Sequence, residues 1–190
     1  MNDDAELVAD VRRGHVEAFG LLVAKYQRPL FGLVLMMVRQ PAGAEEVMQD
    51  AFVRAHTHLN RYDESRPFYP WLATIAVRLA QNWIHQHARL ARRESASVDG
   101  IDAGQPSRTL HDLIGDERNR QLWSAVAALP SGERTAAFLY YRDELPVADI
   151  AAALGVTTGT VKTLLFRARR HLRERLGPEF LTNGGRSHEM

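Results

Sequence analysis

Between residues 5 and 93 the apolar side chains return every three or four positions, and nowhere does the chain alternate apolar and polar with period two. That spacing builds the dry stripe of an α-helix and leaves a strand without a buried face. The chain is therefore expected to be all-α. A first helix is expected over residues 5–28, with a break near Gly14 left open, buried through Leu7, Val8, Val11, Phe19, Leu22, Val23 and Tyr26. A second is expected over 30–38 and a third over 44–59, the latter with Val47, Met48, Ala51, Phe52 and Ala55 on its dry side. A fourth should open at Pro70, where a missing N–H costs no intrahelical bond, and run to about residue 92 on Trp71, Leu72, Ile75, Leu79 and Trp83.

The periodicity fades over residues 94–117, where Gly100, Gly104, Gly115 and Pro106 appear among serines and aspartates. Six acids (Glu94, Asp99, Asp102, Asp112, Asp116, Glu117) face Arg108 alone, giving this stretch a net charge of −5. Low hydrophobicity and one-sign charge predict a flexible acidic linker. Helical patterns resume over 118–129 and 130–142, and the residues after 177 read as a tail. The expected architecture is two small helical domains, 1–93 and 118–176, joined by the linker 94–117 and followed by the tail 177–190.

Composition narrows the classes of function. The 190 residues include no cysteine, which excludes disulfides, thiolate metal sites and thiol catalysis. The longest uncharged apolar run, residues 29–38, is about half the ~20 residues of a membrane-spanning helix, so it reads as a core helix and no membrane insertion is expected. The N-terminus is acidic where a secretory signal would be basic, which places the chain in the cytoplasm as an expectation. Of 24 basic residues only Lys25 and Lys162 are lysine. Arginine suits phosphates and guanine edges, though genomic codon bias gives the same excess.

The residues that carry function lie from Val147 onward, in VADIAAALGVTTGTVKTLLF. Ile150, Leu154, Val156, Val161 and Leu164 are placed to pack two short helices together, Ala151 is small where they cross, and Gly155 ends the first in a left-handed turn. Thr157 or Thr158 can cap the second. This is the pattern of a helix-turn-helix, whose second helix enters the DNA major groove. The exposed side of that helix offers Thr158, Lys162, Thr163, Phe166, Arg167 and Arg170. Residues 162–175 hold six basic side chains and Glu174, a net +5, as phosphate contact requires.

With these residues in view the chain resembles the extracytoplasmic-function sigma factors of the sigma-70 family, over residues 5–176. The tract LPSGERTAAFLYYRDELPVADIAAALGVTTGTVKTLLFRARRHL resembles the family's domain for the minus-thirty-five promoter element, GTVK and FRAR being its more specific pieces. GAEEVMQDAFVRAHTHLNRYD resembles the helix that docks on the polymerase beta-prime clamp, implying Glu45, Glu46, Gln49, Asp50 and Arg54 as the contact face. PFYPWLATIAVRLAQNWIHQHAR resembles the segment that melts and reads the minus-ten element, with the loop 60–69 forming a pocket for an unstacked base. Asn60, Tyr62, Tyr69, Arg78, His85 and Arg89 are the implied contacts there. The resemblance further implies core RNA polymerase (beta-prime clamp and beta flap), promoter DNA and an anti-sigma factor as partners, with the acidic linker threading the RNA exit path.

The sequence departs from the family at Gly43, where a capping aspartate is frequent, at Tyr69, where a base is, at Val77-Arg78, where an Arg-Asn pair is, and at Leu164, where an arginine is. No catalysis, cofactor or metal is expected. His56 with His58, and His85 with His87, stand two apart on helices and point to nearly opposite sides. Glu45, Glu46 and Asp50 have no nucleophile or phosphate-cradling loop beside them, so they read as a protein-binding face. Two rival readings remain in view: a regulator with an N-terminal receiver or ligand-sensing domain, which needs strands absent from the pattern, and a helical adaptor or metal enzyme whose basic helix takes anionic partners generally.

Overall fold

A computed structural model of the chain describes residues 3–94 and 117–177. The expected tail from residue 178 onward, and nearly all of the expected acidic linker, lie outside the described residues. Eight α-helices and one 3-10 turn make up the described fold, and no strand occurs among the described residues. In chain order they are α1 (Asp3–Arg12), α2 (Glu17–Val38), α3 (Pro41–Thr57), the 3-10 turn Leu59–Arg61, α4 (Phe68–Glu94), α5 (Glu117–Ala127), α6 (Ser131–Tyr141), α7 (Val147–Leu154) and α8 (Thr158–Leu176).

The break near Gly14 is real: that glycine has φ +99°, a conformation that ends α1 without the penalty a side chain would bring. The expected second break, at Pro29, is not. Helix α2 runs unbroken through it for 22 residues. A proline inside a helix costs about 3 kcal/mol, but Leu30 and every residue from Gly32 to Val38 are buried, and each large apolar side chain so placed returns roughly 1.5–3 kcal/mol. Packing therefore overrides the local signal. By length and composition α2 could cross a membrane, yet half of its most apolar window is buried within this fold, as in the core helix of a globular chain.

Helix α3 starts three residues ahead of expectation because Pro41 occupies its first turn, and α4 starts at Phe68 with Pro70 tolerated among the first N–H groups, which have no intrahelical partner. Where α1, α2, α4 and the 60–69 loop meet, Tyr26, Tyr62, Phe68, Tyr69 and Trp71 form an aromatic cluster with ring centroids 5.3–5.7 Å apart. Beneath it, Asp4 is buried and accepts hydrogen bonds from Lys25 Nζ at 2.6 Å and the Tyr26 hydroxyl at 2.5 Å.

In the C-terminal module, α6 is the central helix, buried from Glu133 to Leu139. Two charged residues in that stretch have local partners: Glu133 accepts from His171 of α8 at 2.7 Å, and Arg134 Nη1 donates to the carbonyls of Ala127 and Leu129, where α5 ends, while its Nε is buried without a partner. Burial pushes Arg134 down to about 10.

The two helical modules expected on either side of the linker pack directly together. Helix α4 lies between α3 on one side and α7 on the other, and α2 touches α6, so a contiguous buried cluster runs through both modules. A Cβ placed on Gly32 of α2 would meet the Phe138 ring of α6 at 3.6 Å. Sequence periodicity reports which face of a helix is dry but not which partner dries it, so this contact was not legible beforehand.

Candidate nucleic-acid interface

The helix-turn-helix is closed by backbone geometry at its turn. Gly155 has φ +68°, and the N–H groups of Gly155 and Val156 both reach back to the Ala151 carbonyl, the pattern that ends a helix when the residue after it is left-handed. Thr157 then caps α8: its hydroxyl accepts from the Thr160 N–H at 3.2 Å. Ile150, Ala151 and Val161 are buried between the two helices as expected. Val156 is not, being 38% exposed, because it belongs to the turn and its N–H rather than its side chain is what the fold uses.

The outward face of α8 carries Thr158, Lys162, Thr163, Phe166, Arg167 and Arg170, all exposed, with Thr157 exposed at its head. Phe166 is 63% exposed, a large apolar cost for a group with no internal role. The Thr163 hydroxyl is turned back onto the Gly159 carbonyl at 3.0 Å, so it already has a partner within the helix. Leu164, where the family has an arginine, is half-buried and approaches Gly132 of α6. It has become a packing residue, so the departure removes a charge from the flank without opening a hole.

On the N-terminal module, Glu45, Glu46, Gln49, Asp50 and Arg54 all lie exposed along one side of α3. Val53 sits among them at 64% exposure, an apolar contact point that the charged stripe obscured in the sequence. Gly43 has a structural account as well. The Trp83 indole of α4 lies against it so closely that a Cβ there would come within 2.4 Å of the ring, and the indole N–H donates to Glu46 at 3.1 Å. The expected buried role of Trp83 is thus only partial: it is a bridge from α4 to the charged face of α3.

Helix α4 displays Arg78, His85 and Arg89 on its exposed side, at spacings of seven and four that keep them on one face. Asn60 is exposed in the 3-10 turn. Two other residues implied for this surface are placed differently. Tyr62 is 4% exposed, packed on Phe68 and Trp71, with its hydroxyl donating to the Arg66 carbonyl; desolvation, its largest influence, pushes it up to about 12. In this conformation Tyr62 shapes the loop and offers no face to a base. Tyr69 stacks on Tyr26, and its hydroxyl donates to Asp143 Oδ2 of the C-terminal module at 2.8 Å. Its ring is half-buried and its hydroxyl is engaged by the other module.

Sequence reasoning missed the residue that holds the 60–69 loop. Arg12 of α1 donates to the carbonyls of Leu59 and Tyr62, both at 2.8 Å, and pairs with Glu64. Asp63 turns the loop by accepting from the Ser65 N–H at 3.0 Å and hydroxyl at 2.7 Å, bonds that lower its own pKa. No group of three metal-ligating side chains converges among the described residues.

The geometry defines a helical chain with a completed helix-turn-helix in one module and an exposed charged face along α3 in the other, and the comparison with known proteins places it in a family. The model of Sigma-70 region 2 matches residues 22–90, and that of Sigma-70 region 4 matches residues 119–172. The chain is 34% identical over 184 residues to the RNA polymerase sigma-H factor of Pseudomonas aeruginosa, covering 92% of this chain and 94% of that protein. It is 32% identical to the ECF RNA polymerase sigma-E factor of Escherichia coli K12, covering 92% and 95%. Among solved structures, CnrH in complex with the cytosolic domain of CnrY superposes with a TM-score of 0.63 at 26% identity, over 91% of this chain and 96% of that one. The sigma factor RpoE of Bartonella quintana, in complex with the anti-sigma factor NepR, shares the fold at a TM-score of 0.68 and 20% identity, over 85% and 98%. The chain belongs to the extracytoplasmic-function sigma factors of the sigma-70 family, the subunits that direct RNA polymerase to promoters.

Proposed function

We propose that the chain divides this work between its modules as the two exposed faces divide: α3 grips core RNA polymerase, α4 and the loop before it open and read the minus-ten element, and α8 reads the minus-thirty-five element. The observation that carries the reading is the outer face of α8, where Lys162, Phe166, Arg167 and Arg170 stand exposed on a capped helix beside a glycine-ended turn. Cations there neutralise phosphates and fix register, while Thr163 and Phe166 offer methyl and ring surface to base edges.

The subunit performs no chemistry of its own and acts in the cytoplasm, where polymerase and promoters are. Each face is small, so the free chain binds DNA weakly and gains specificity when one enzyme holds both modules on one duplex, the second contact then being intramolecular. The exposed face of α3, with Val53 at its centre, serves the beta-prime clamp. The beta flap takes the C-terminal module. An anti-sigma factor is a natural further partner, since both solved neighbours were captured with a regulatory protein bound.

The test is in vitro transcription with core polymerase and genomic DNA, start sites being mapped with and without the chain. New starts sharing two spaced elements are expected. Replacing Lys162 and Arg167 by alanine should weaken initiation at every such start, and unchanged output would remove α8 from the reading.

A further inference from the structure

The buried side of α8 is apolar, made of Val161, Leu165, Ala168 and Leu172. Contact of that kind is non-directional, so it leaves a helix free to roll slightly about its axis. Side chains reach ~5–6 Å from a helix axis, and ~10° of roll therefore moves their outer ends by ~1 Å. A base contact tolerates little more than that.

One edge of α8 carries a second, directional contact. Leu164 and His171 stand about two turns apart on this edge, and both meet the first turn of α6. A Cβ on Gly132 would touch Leu164 at 3.4 Å, and the next residue, Glu133, accepts a hydrogen bond from His171 Nδ1 at 2.7 Å. Glu133 is 6% exposed, and no other carboxylate of the C-terminal module is so buried among the described residues. An ionised carboxylate only accepts, so Nδ1 carries the proton. A bond to a charged, buried acceptor is angle-dependent and costly to leave unmade. Exposed Arg167 lies one turn before His171, and exposed Arg170 directly precedes it. The Thr157 cap fixes the head of α8; the Glu133–His171 bond fixes the half that follows.

We propose that Glu133 is a positioning residue for promoter reading: through His171 it sets the roll of the second half of α8 and so aims Arg167 and Arg170. The role in reading rests on the minus-thirty-five function proposed for α8; the pinning of the helix does not.

The pin can be removed without unfolding the module. Glu133→Leu combined with His171→Leu replaces the bond by apolar groups, a change of the kind that leaves stability near the parent's or above it. His171→Asn keeps an amide N–H where Nδ1 stood. Each variant, as full chain with core polymerase, is assayed by in vitro transcription on a mapped promoter whose minus-thirty-five element is randomised, and Arg167→Ala on the same library marks the base pairs served by that half of α8. At those base pairs the double-leucine variant should lose discrimination roughly tenfold, the scale of one bidentate base contact. Other base pairs should keep theirs, and His171→Asn should read like the parent. A role in stability alone would lower the unfolding temperature and spare base preference. A double-leucine variant that discriminates like the parent, or His171→Asn behaving like the double-leucine variant, would overturn the proposal.

A second measurement needs no DNA. The chain lacks cysteine, so spin labels at Ala148→Cys of α7 and Arg175→Cys of α8, both exposed positions, report the placement of α8 by pulsed electron resonance. One narrow distance is expected in the parent background and with His171→Asn, and a broadened one with both leucines. If the parent shows no minus-thirty-five preference, the reading of α8 fails, while the label distance still decides the pin: an unbroadened distance with both leucines would refute it.

Discussion

The two helices proposed to face DNA, α8 and α4, are made in opposite ways. The face of α8 is assembled within about thirty consecutive residues: Gly155 turns the chain, Thr157 caps the helix, and the side chains that follow stand out in solvent. The face of α4 depends on residues scattered from Asp4 to Asp143: Arg12 holds its loop, Tyr26 backs its aromatic cluster, and the far module binds the Tyr69 hydroxyl. Local construction leaves a surface always displayed. Distributed construction yields one that other parts of the molecule can hide or distort.

That contrast is open to attack by mutation. The largest effect should come from Phe68→Ala, which empties a site with no solvent exposure at the centre of the aromatic cluster. A loss of about 3–5 kcal/mol in urea-unfolding free energy is expected, and a cost below ~1 kcal/mol would show that the cluster is not what organises α4. Next is Gly43→Ala. The added methyl cannot coexist with the Trp83 ring at 2.4 Å, so a net cost of roughly 1–3 kcal/mol for overpacking should exceed the ~1 kcal/mol of helix propensity gained; a stabilised variant would mean the indole swings aside freely.

On the local side, Lys162→Ala should weaken promoter binding by the polymerase complex roughly tenfold and flatten its dependence on log salt by about one. An unaltered salt slope would take Lys162 off the phosphates. The smallest effect is expected for Thr157→Ala, which removes the α8 cap at a cost of about 1 kcal/mol. Amide exchange should quicken in the first turn of α8 alone, and quickening across α4 would show that the two faces are less independent than their construction implies.

The same contrast explains what could be read from the chain before folding. Gly155, Thr157, Ile150, Ala151 and Val161 announce the helix-turn-helix because each acts within a turn or two of itself, and the structure places all five in the expected roles. Pro29 misled because its local penalty was outweighed by the burial of Leu30 and the residues after it, a tertiary effect that a local signal does not carry. Gly43 looked like a lost cap until Trp83, forty residues on, was seen lying over it. Tyr62 and Tyr69 were legible as aromatic but not as engaged within the fold, because Phe68 and Trp71 bury the first and the Asp143 carboxylate takes the hydroxyl of the second.

The Trp83 side chain has a practical corollary. Its indole lies face to face with the His87 imidazole at 3.6 Å while its N–H donates to the Glu46 carboxylate of α3. A partner that claims Glu46 must take that hydrogen bond or share it, and the ring stacked on histidine will change its emission when it does. Binding of a partner to the α3 face should therefore be visible as light, without any dye, in a protein whose other two tryptophans pack elsewhere, Trp71 on Tyr62 and Phe68 and Trp123 on Phe138.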